Sequence, residues 1–503
     1  MGSQGVEARL RLLREVAERQ ILKPLETHGW TARIESENSA GEYFVIGATK
    51  GIMTHKIALL YTSATANGVY KVLDGSVEHI FTNGALYHIE QFAYGITASV
   101  SPVGNFFPLL VEWNKQLAPG TLPHPVPPPP QRTVRHITAE NPLGGIWSRL
   151  EQFGSVVLAE KLIVRRASES GESLAHEVVR AKAAGVAFSL RNAADYLRSS
   201  ATESLNKRIL SLYYGVLSLG FAEMLSSPNG PKDLDEVEGM TKFGHGLCTV
   251  PGDADDFGGL SVAVVATGFF PQWMNFLGVD TSDYPRKKPK SVSDLDDLPT
   301  GTFTNLRDLF SAVPELGDLF LEVFTTQPSW VLPIYQPFEN KSGPGLPNPA
   351  GVGSTYIHLL DRSGRIDIQR LSATGWPLAE LSSVPTIGAG NEYRARVDHP
   401  GLGAWYEALP LHHSPFLLSQ CLIVPAFRHP TPYRVNALVI LYALSIVVRY
   451  MPSAWRRIEG GDWDQHLALI KSLVNIFERI LPEQFLETVI GERIHASQPG
   501  SWS

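Results

Sequence analysis

The chain has 503 residues, with 43 Lys plus Arg against 50 Asp plus Glu, a net charge of −7, and 44% hydrophobic residues. This is the composition of a folded protein of about two to four domains, not of a disordered or membrane-embedded chain. The mild acidic balance excludes a histone-like coat of positive charge, but leaves room for a local basic groove.

The first residues, MGSQGVEARLRLLREV, are charged from the outset and lack the apolar stretch of a secretory signal. The longest apolar run, residues 437–448, holds twelve residues, short of the roughly 20 that a membrane span needs. The expected location is therefore the cytoplasm, with no membrane partner. Cys248 and Cys421 are too few and too far apart for a disulfide scaffold, and read as separate buried thiols.

Residues 1–120 read as a small α/β module. Val6, Leu10, Leu13, Ala17, Ile21 and Leu25 recur at helical spacing, and His28-Gly29 ends that helix. Residues 31–36, 42–49 and 55–63 read as strands. A second helix is predicted over 69–82, and a last strand over 85–92. This α-β-β-β-α-β order resembles the restriction-endonuclease-like core. Such a nuclease needs a carboxylate at one strand end and an acid–lysine pair on the next, to hold Mg²⁺ and activate water. Glu42 is the candidate first carboxylate. The following strand offers Leu59-Leu60-Tyr61 where the pair belongs, so the resemblance implies an inactive relative.

PHPVPPPP at 123–130 cannot be helix or central strand, because proline fixes φ and lacks an amide hydrogen. It marks a Pro-rich linker, 121–140. A mainly helical body is predicted over 141–495. Residues 144–164, 174–200 and 204–227 have helix-forming composition, the last strongly apolar. A charged linker, 280–300, carries RKKPK followed by Asp294, Asp296 and Asp297, and reads as a solvated segment. A short helix ends before Pro314. Residues 355–371 read as a β-hairpin around Asp361-Arg362-Ser363-Gly364. A hydrophobic helix spans 433–451, two more follow at 462–480 and 483–494, and residues 496–503 read as an unordered tail. The fold class is α+β: a small N-terminal α/β module, then a larger helical body with a β-hairpin insertion.

The usual catalytic signatures are absent, including the phosphate-binding GxxxxGK[ST], HExxH, GxSxG and CxxC. No motif names a cofactor or a metal site. Asp253, Asp255 and Asp256 lack the further ligands of a Ca²⁺ loop and read as a turn. Gly388-Ala389-Gly390 reads as a loop. In Gly244-His245-Gly246 the flanking glycines expose the imidazole, which suits a general base or ligand, or a simple turn. Arg449 lies within an apolar helix on one stripe with Tyr442 and Ser445. It either pairs with a carboxylate or anchors an anion. Arg428 and Arg434 precede it closely enough in sequence to join an anion-binding cluster.

RILSLYYGVLSLGFAEML, GHGL, AVPEL and YALSIVVRYMPSAW together resemble the YaaC-like family of bacterial proteins, over about residues 145–490. The family resemblance carries no activity. Its Tyr-Tyr-Gly helix adds Tyr213 and Tyr214 to the ligand-binding candidates Arg428, Arg434 and Arg449. The early helices are also similar to HEPN-type domains, whose ribonuclease members use Arg-x4–6-His, but those helices hold no Arg followed by His at that spacing. The main expectation is a non-catalytic binding, regulatory or scaffold protein. Another protein is its expected partner and nucleic acid a second candidate, as in an anti-phage defence or nucleic-acid-handling system. The alternative is an enzyme: a nuclease using Glu42, or a phosphate-ligand hydrolase using His245 with Arg449.

Overall fold

The computed structural model describes residues 2–51, 53–116, 134–199, 203–252, 256–336, 352–386, 390–400, 405–427 and 431–500. The proline run 123–130, Asp253, Asp255, Gly388, Ala389 and Arg428 lie outside the described residues. The chain forms two compact units, Met1–Pro127 and Pro128–Ser503.

In the first unit, α1 (Gly2–Ala17) runs through a π turn at Glu18–Leu22 into α2 (Lys23–Thr27). Then come β1 (Thr31–Glu37), β2 (Tyr43–Lys50), β3 (Met53–Leu60), α3 (Asn67–Leu73), β4 (His79–Thr82), α4 (Ile89–Phe92), β5 (Ser99–Pro102) and α5 (Phe106–Gln116). The strands form one sheet in the order β1-β2-β3-β4-β5. The first three are antiparallel; β4 and β5 add in parallel. One face buries Phe44, Ile46 and Leu59 against Leu13, Ile21 and Trp113, and the other buries Leu60 and Ile80 against Tyr70. Two predictions are corrected here. The helix predicted over 69–82 stops at Leu73, because Gly75 takes φ +80 and the Asp74 carboxylate ties the turn to the amides of Thr97 and Ala98. Residues 85–92, predicted as the last strand, hold only a helical turn, and the last strand of this sheet is Ser99–Pro102, paired with β4.

The second unit opens with β6 (Val134–Thr138), inside the predicted linker 121–140. Helices α6 (Pro142–Gln152), α7 (Val156–Glu169), α8 (His176–Ser199), α9 (Leu205–Ser226) and α10 (Leu234–Thr241) follow. A three-stranded sheet is built from β7 (Leu247–Val250), β8 (Ser261–Val264) and β9 (Phe303–Asn305), with α11 (Phe269–Phe276) and α12 (Val292–Asp296) between the last two. Next come α13 (Leu306–Ser311) and α14 (Gly317–Phe324). A second sheet holds β10 (Trp330–Tyr335), β11 (Val352–Asp361), β12 (Ala379–Val384), β13 (Asn391–Pro400) and β14 (Leu422–Ile423), with α15 (Ile368–Ser372) after β11. Helices α16 (Tyr433–Tyr450), α17 (Pro452–Gly460) and α18 (Gln465–Ile490) and strand β15 (Arg493–Ser497) complete the unit. Helix α9 is central and packs on α8, α16 and α18. Helices α9 and α16 are long and apolar enough to cross a membrane, yet 72% of each apolar window is buried inside this core.

Three further differences have local causes. The turn at Asp361 is present, but its second arm is no strand. The Asp361 carboxylate accepts from the amides of Ser363 and Ile366, Asp367 caps α15, and β11 pairs along its whole length with β13. The two helices predicted after residue 462 are one helix, which continues through Pro482. A mid-helix proline costs about 3 kcal/mol. Here Ile480, Leu481, Phe485 and Leu486 on both sides of it are buried in the same core. Ala496 and Ser497, predicted to begin the tail, end β15, which pairs in parallel with β6. The charged segment 280–300 is also folded: Tyr284 and Leu295 are buried, and Ser291 and Asp294 form a capping box on α12.

Candidate functional site

Three glycines shape the loop that carries His245. Gly244, Gly246 and Gly268 take φ values of +100, +79 and +113. A Cβ on Gly268 would lie 2.5 Å from the Gly244 carbonyl oxygen, and one on Gly246 2.3 Å from Pro271 Cδ. This close approach lets the carbonyls of Gly244 and His245 accept from the first amides of α11, Phe269 and Phe270, at 3.0 and 2.9 Å. The helix start is thereby satisfied by protein.

The His245 side chain meets α9. Its Nδ1 lies 2.8 Å from the Tyr213 hydroxyl. The Tyr213 and Tyr442 rings flank the imidazole, with centroids 5.6 and 5.8 Å away, and the Tyr442 hydroxyl donates to the Leu247 carbonyl at 2.9 Å. Burial pushes the Tyr442 phenol up to about 12 and the Tyr213 phenol further still, so both stay neutral. The imidazole shifts down. Burial disfavours its charge first, then the cations of Arg449 and Lys288 repel it.

Tyr214 is next to Tyr213 on α9, so it points about 100° away, toward the half-buried edge where α16 ends. Arg449 lies there. Its Nε donates to the Ser445 carbonyl at 3.1 Å, Nη2 to Ser445 Oγ at 3.2 Å and Nη1 to the Tyr214 hydroxyl at 3.3 Å. All three acceptors are neutral. Among the described residues Arg449 forms no ion pair. A guanidinium has five N–H donors, so two remain for a ligand.

Arg434 does not join this cluster. It is fifteen positions before Arg449 on α16, which puts about 22 Å between them. Its guanidinium grips Glu223 of α9 through both carboxylate oxygens, with Nε at 3.2 Å, and Trp273 of α11 donates to the same carboxylate at 3.1 Å. The carboxylate bridge foreseen for Arg449 is made instead by Arg434, to Glu223. The sequence signal was Glu223, a lone acid inside an apolar helix. Arg428 lies outside the described residues. Glu42 stands just before β2, and its carbonyl accepts from the Tyr61 amide at 2.8 Å. Among the described residues no group of three or more His, Cys, Asp and Glu side chains is placed to hold a metal ion.

Sequence reasoning missed a second buried cluster. Glu315, after α13, accepts from His412 Nε2 at 2.6 Å and from the Tyr433 hydroxyl at 3.0 Å. The His412 and Tyr433 rings stack at 4.3 Å. The cluster ties the second sheet's chain to the start of α16, and Glu315 is 97 and 118 positions from His412 and Tyr433 in sequence. Cys248 and Cys421 are both buried and free.

No curated protein and no solved structure matches the chain. The family model described as YaaC-like Protein matches residues 152–489, which is more than half of the chain and includes the helices and loop that bring Tyr213, His245 and Arg449 together. The chain belongs to the YaaC-like family.

Proposed function

We propose that the chain is a non-catalytic binding protein with a regulatory or scaffolding role, and that the cluster around His245 and Arg449 holds a phosphate-bearing ligand. The observation that supports this most is Arg449, a guanidinium at the rim of the cluster with only neutral acceptors. The exposed Lys288 adds a second positive charge that lowers the His245 pKa, less than Arg449 does. A hydrolase reading finds less support. Behind His245 stands a neutral phenol, and among the described residues no carboxylate is hydrogen-bonded to the imidazole to stabilise the imidazolium that general-base catalysis forms. Calorimetric titration of the full chain with inorganic phosphate and pyrophosphate tests the reading. Binding that weakens with salt and is lost in Arg449→Gln is expected. No binding by the wild-type chain at low salt overturns it.

The N-terminal unit shares its first three strands with the order read from sequence, and β3 ends in Leu59-Leu60 where a nuclease would need an acid and a lysine. It is read as an inactive recognition module for a protein or nucleic-acid partner. Mg²⁺-dependent cleavage of nucleic acid that disappears in Glu42→Ala would refute this.

A further inference from the structure

The Arg449 cation lies against Tyr450 and Tyr214, and exposed rings stand near it and near the loop of His245 in the chain. Tyr450 is 67% exposed, and the guanidinium lies 5.1 Å from its ring centroid. Tyr214 stacks on Tyr196 of α8 at 5.8 Å and 30°, and Tyr196 is 40% exposed. Phe243, directly before the glycine loop, is 70% exposed. Rings of this size usually supply core or interface area. The core of this unit is filled by Trp273, Phe270 and their neighbours; Tyr214 packs against its edge, while Tyr196, Phe243 and Tyr450 are not part of it.

A site for inorganic phosphate alone needs cations and N–H donors, not open ring faces. Flat rings beside cations suit a ligand that carries both a planar heterocycle and a phosphate, because every base offers a π-face to stack and the cations take the charge. The chemistry of His245 fits the same ligand. A Tyr213 hydroxyl that donates to Nδ1 leaves the imidazole proton on Nε2, where it can be given to a phosphate oxygen.

We infer that the site takes a nucleotide, with the base against Tyr450 or the Tyr196–Tyr214 pair and the phosphate on Arg449 and His245. The inference rests on the phosphate-binding reading above and adds the base to it. Either a free nucleotide or a single-stranded nucleic acid supplies this chemistry.

The test titrates the full chain with inorganic phosphate, adenosine monophosphate and a short single-stranded oligonucleotide, by calorimetry at low salt. The monophosphate should bind about tenfold or more tighter than phosphate, the margin that one stacked base supplies. That ratio should fall to about one in the Tyr196→Ala, Tyr450→Ala double variant. Tyr450→Leu, which keeps apolar bulk without a flat ring, should lower it too and covers a failure of the alanine variant to fold. An oligonucleotide that binds more tightly still, with a steeper salt slope, makes a single strand the source; equal affinity makes it the free nucleotide. Phosphate and monophosphate binding equally well would overturn the nucleotide while leaving the phosphate site standing. A ratio that survives both ring variants would do the same. If neither phosphate nor monophosphate binds, both readings fail.

Discussion

The Tyr213 hydroxyl and His245 Nδ1 stand 2.8 Å apart, and one helix turns Tyr213 into the core while its neighbour Tyr214 reaches Arg449 at the rim. A single Tyr-Tyr pair on α9 therefore links a half-buried imidazole to an arginine that has no acidic partner among the described residues. The charge of Arg449 is felt by His245, and this gives a direct readout of the site.

Arg449→Gln should raise the His245 pKa toward the ordinary imidazole value, because it removes a repelling cation while burial stays. Lys288→Gln should act in the same direction by less, as the weaker of the two repulsions. Histidine ring-proton NMR across the neutral range reads the shift. A fall, or no change, in Arg449→Gln would mean that the two side chains do not face each other. A folded-state pKa below the unfolded value also means that His245 costs stability on acidification, as pH falls from the unfolded pKa through the folded one.

Arg434→Met should cost about 3–5 kcal/mol in urea unfolding, since it strands the buried Glu223 carboxylate with only the Trp273 donor. The double variant Glu223→Leu, Arg434→Met should be less destabilised than Arg434→Met alone, because no lone charge remains. Equal losses would show that the pair is not buried as described.

Glu315 predicts an acid-sensitive seam. Burial alone would raise its carboxyl pKa, but the hydrogen bond and charge of His412, with the bonds from its own amide and Ser414, outweigh burial and hold it below the ordinary carboxylate value. The sign follows from linkage. The stabilisation is fully present above the unfolded carboxylate pKa, and it is lost as pH falls through the lower folded value. Urea midpoints measured from neutral pH into the acid range should fall less steeply in Glu315→Gln than in the wild type. Parallel curves would remove Glu315 from the acid response.

Gly268→Ala should destabilise the loop of His245 by about 1–3 kcal/mol, because the position has φ +113 and a Cβ there would lie 2.4 Å from the Gly246 amide nitrogen. Gly239→Ala, at a helical position with open space around its Cβ, is the control and should be neutral or slightly stabilising. Thermal unfolding followed by circular dichroism distinguishes the two. Equal melting temperatures would show that the loop tolerates a side chain.

The helices of the second unit were legible from helix-forming composition and length; α9 and α16 are apolar over five or six turns and buried on nearly every side. Strands β2 and β3 were legible as apolar runs on either side of a Gly-containing turn. Short elements were not. The stretch 69–82 holds apolar residues that satisfy a helix or a helix plus a strand, and Gly75 and the Asp74 cap decided between them. Pro482 reads as a helix break because the local penalty is visible in sequence, while the packing that outweighs it comes from residues elsewhere.

The sequence by itself determined the α+β class, the buried thiols, the glycine-flanked histidine and the arginine at the end of an apolar helix. It showed which side chains could bear chemistry, because residue type and spacing set local geometry. Tertiary structure alone decided which of them meet. Arg434 and Arg449 look like neighbours in a list of cations, yet the rise of one helix holds them about 22 Å apart. Tyr213 and His245 are 32 positions apart and touch. Contact depends on how α9, α16 and the glycine loop pack together, and packing is a property of the whole core that no local spacing encodes.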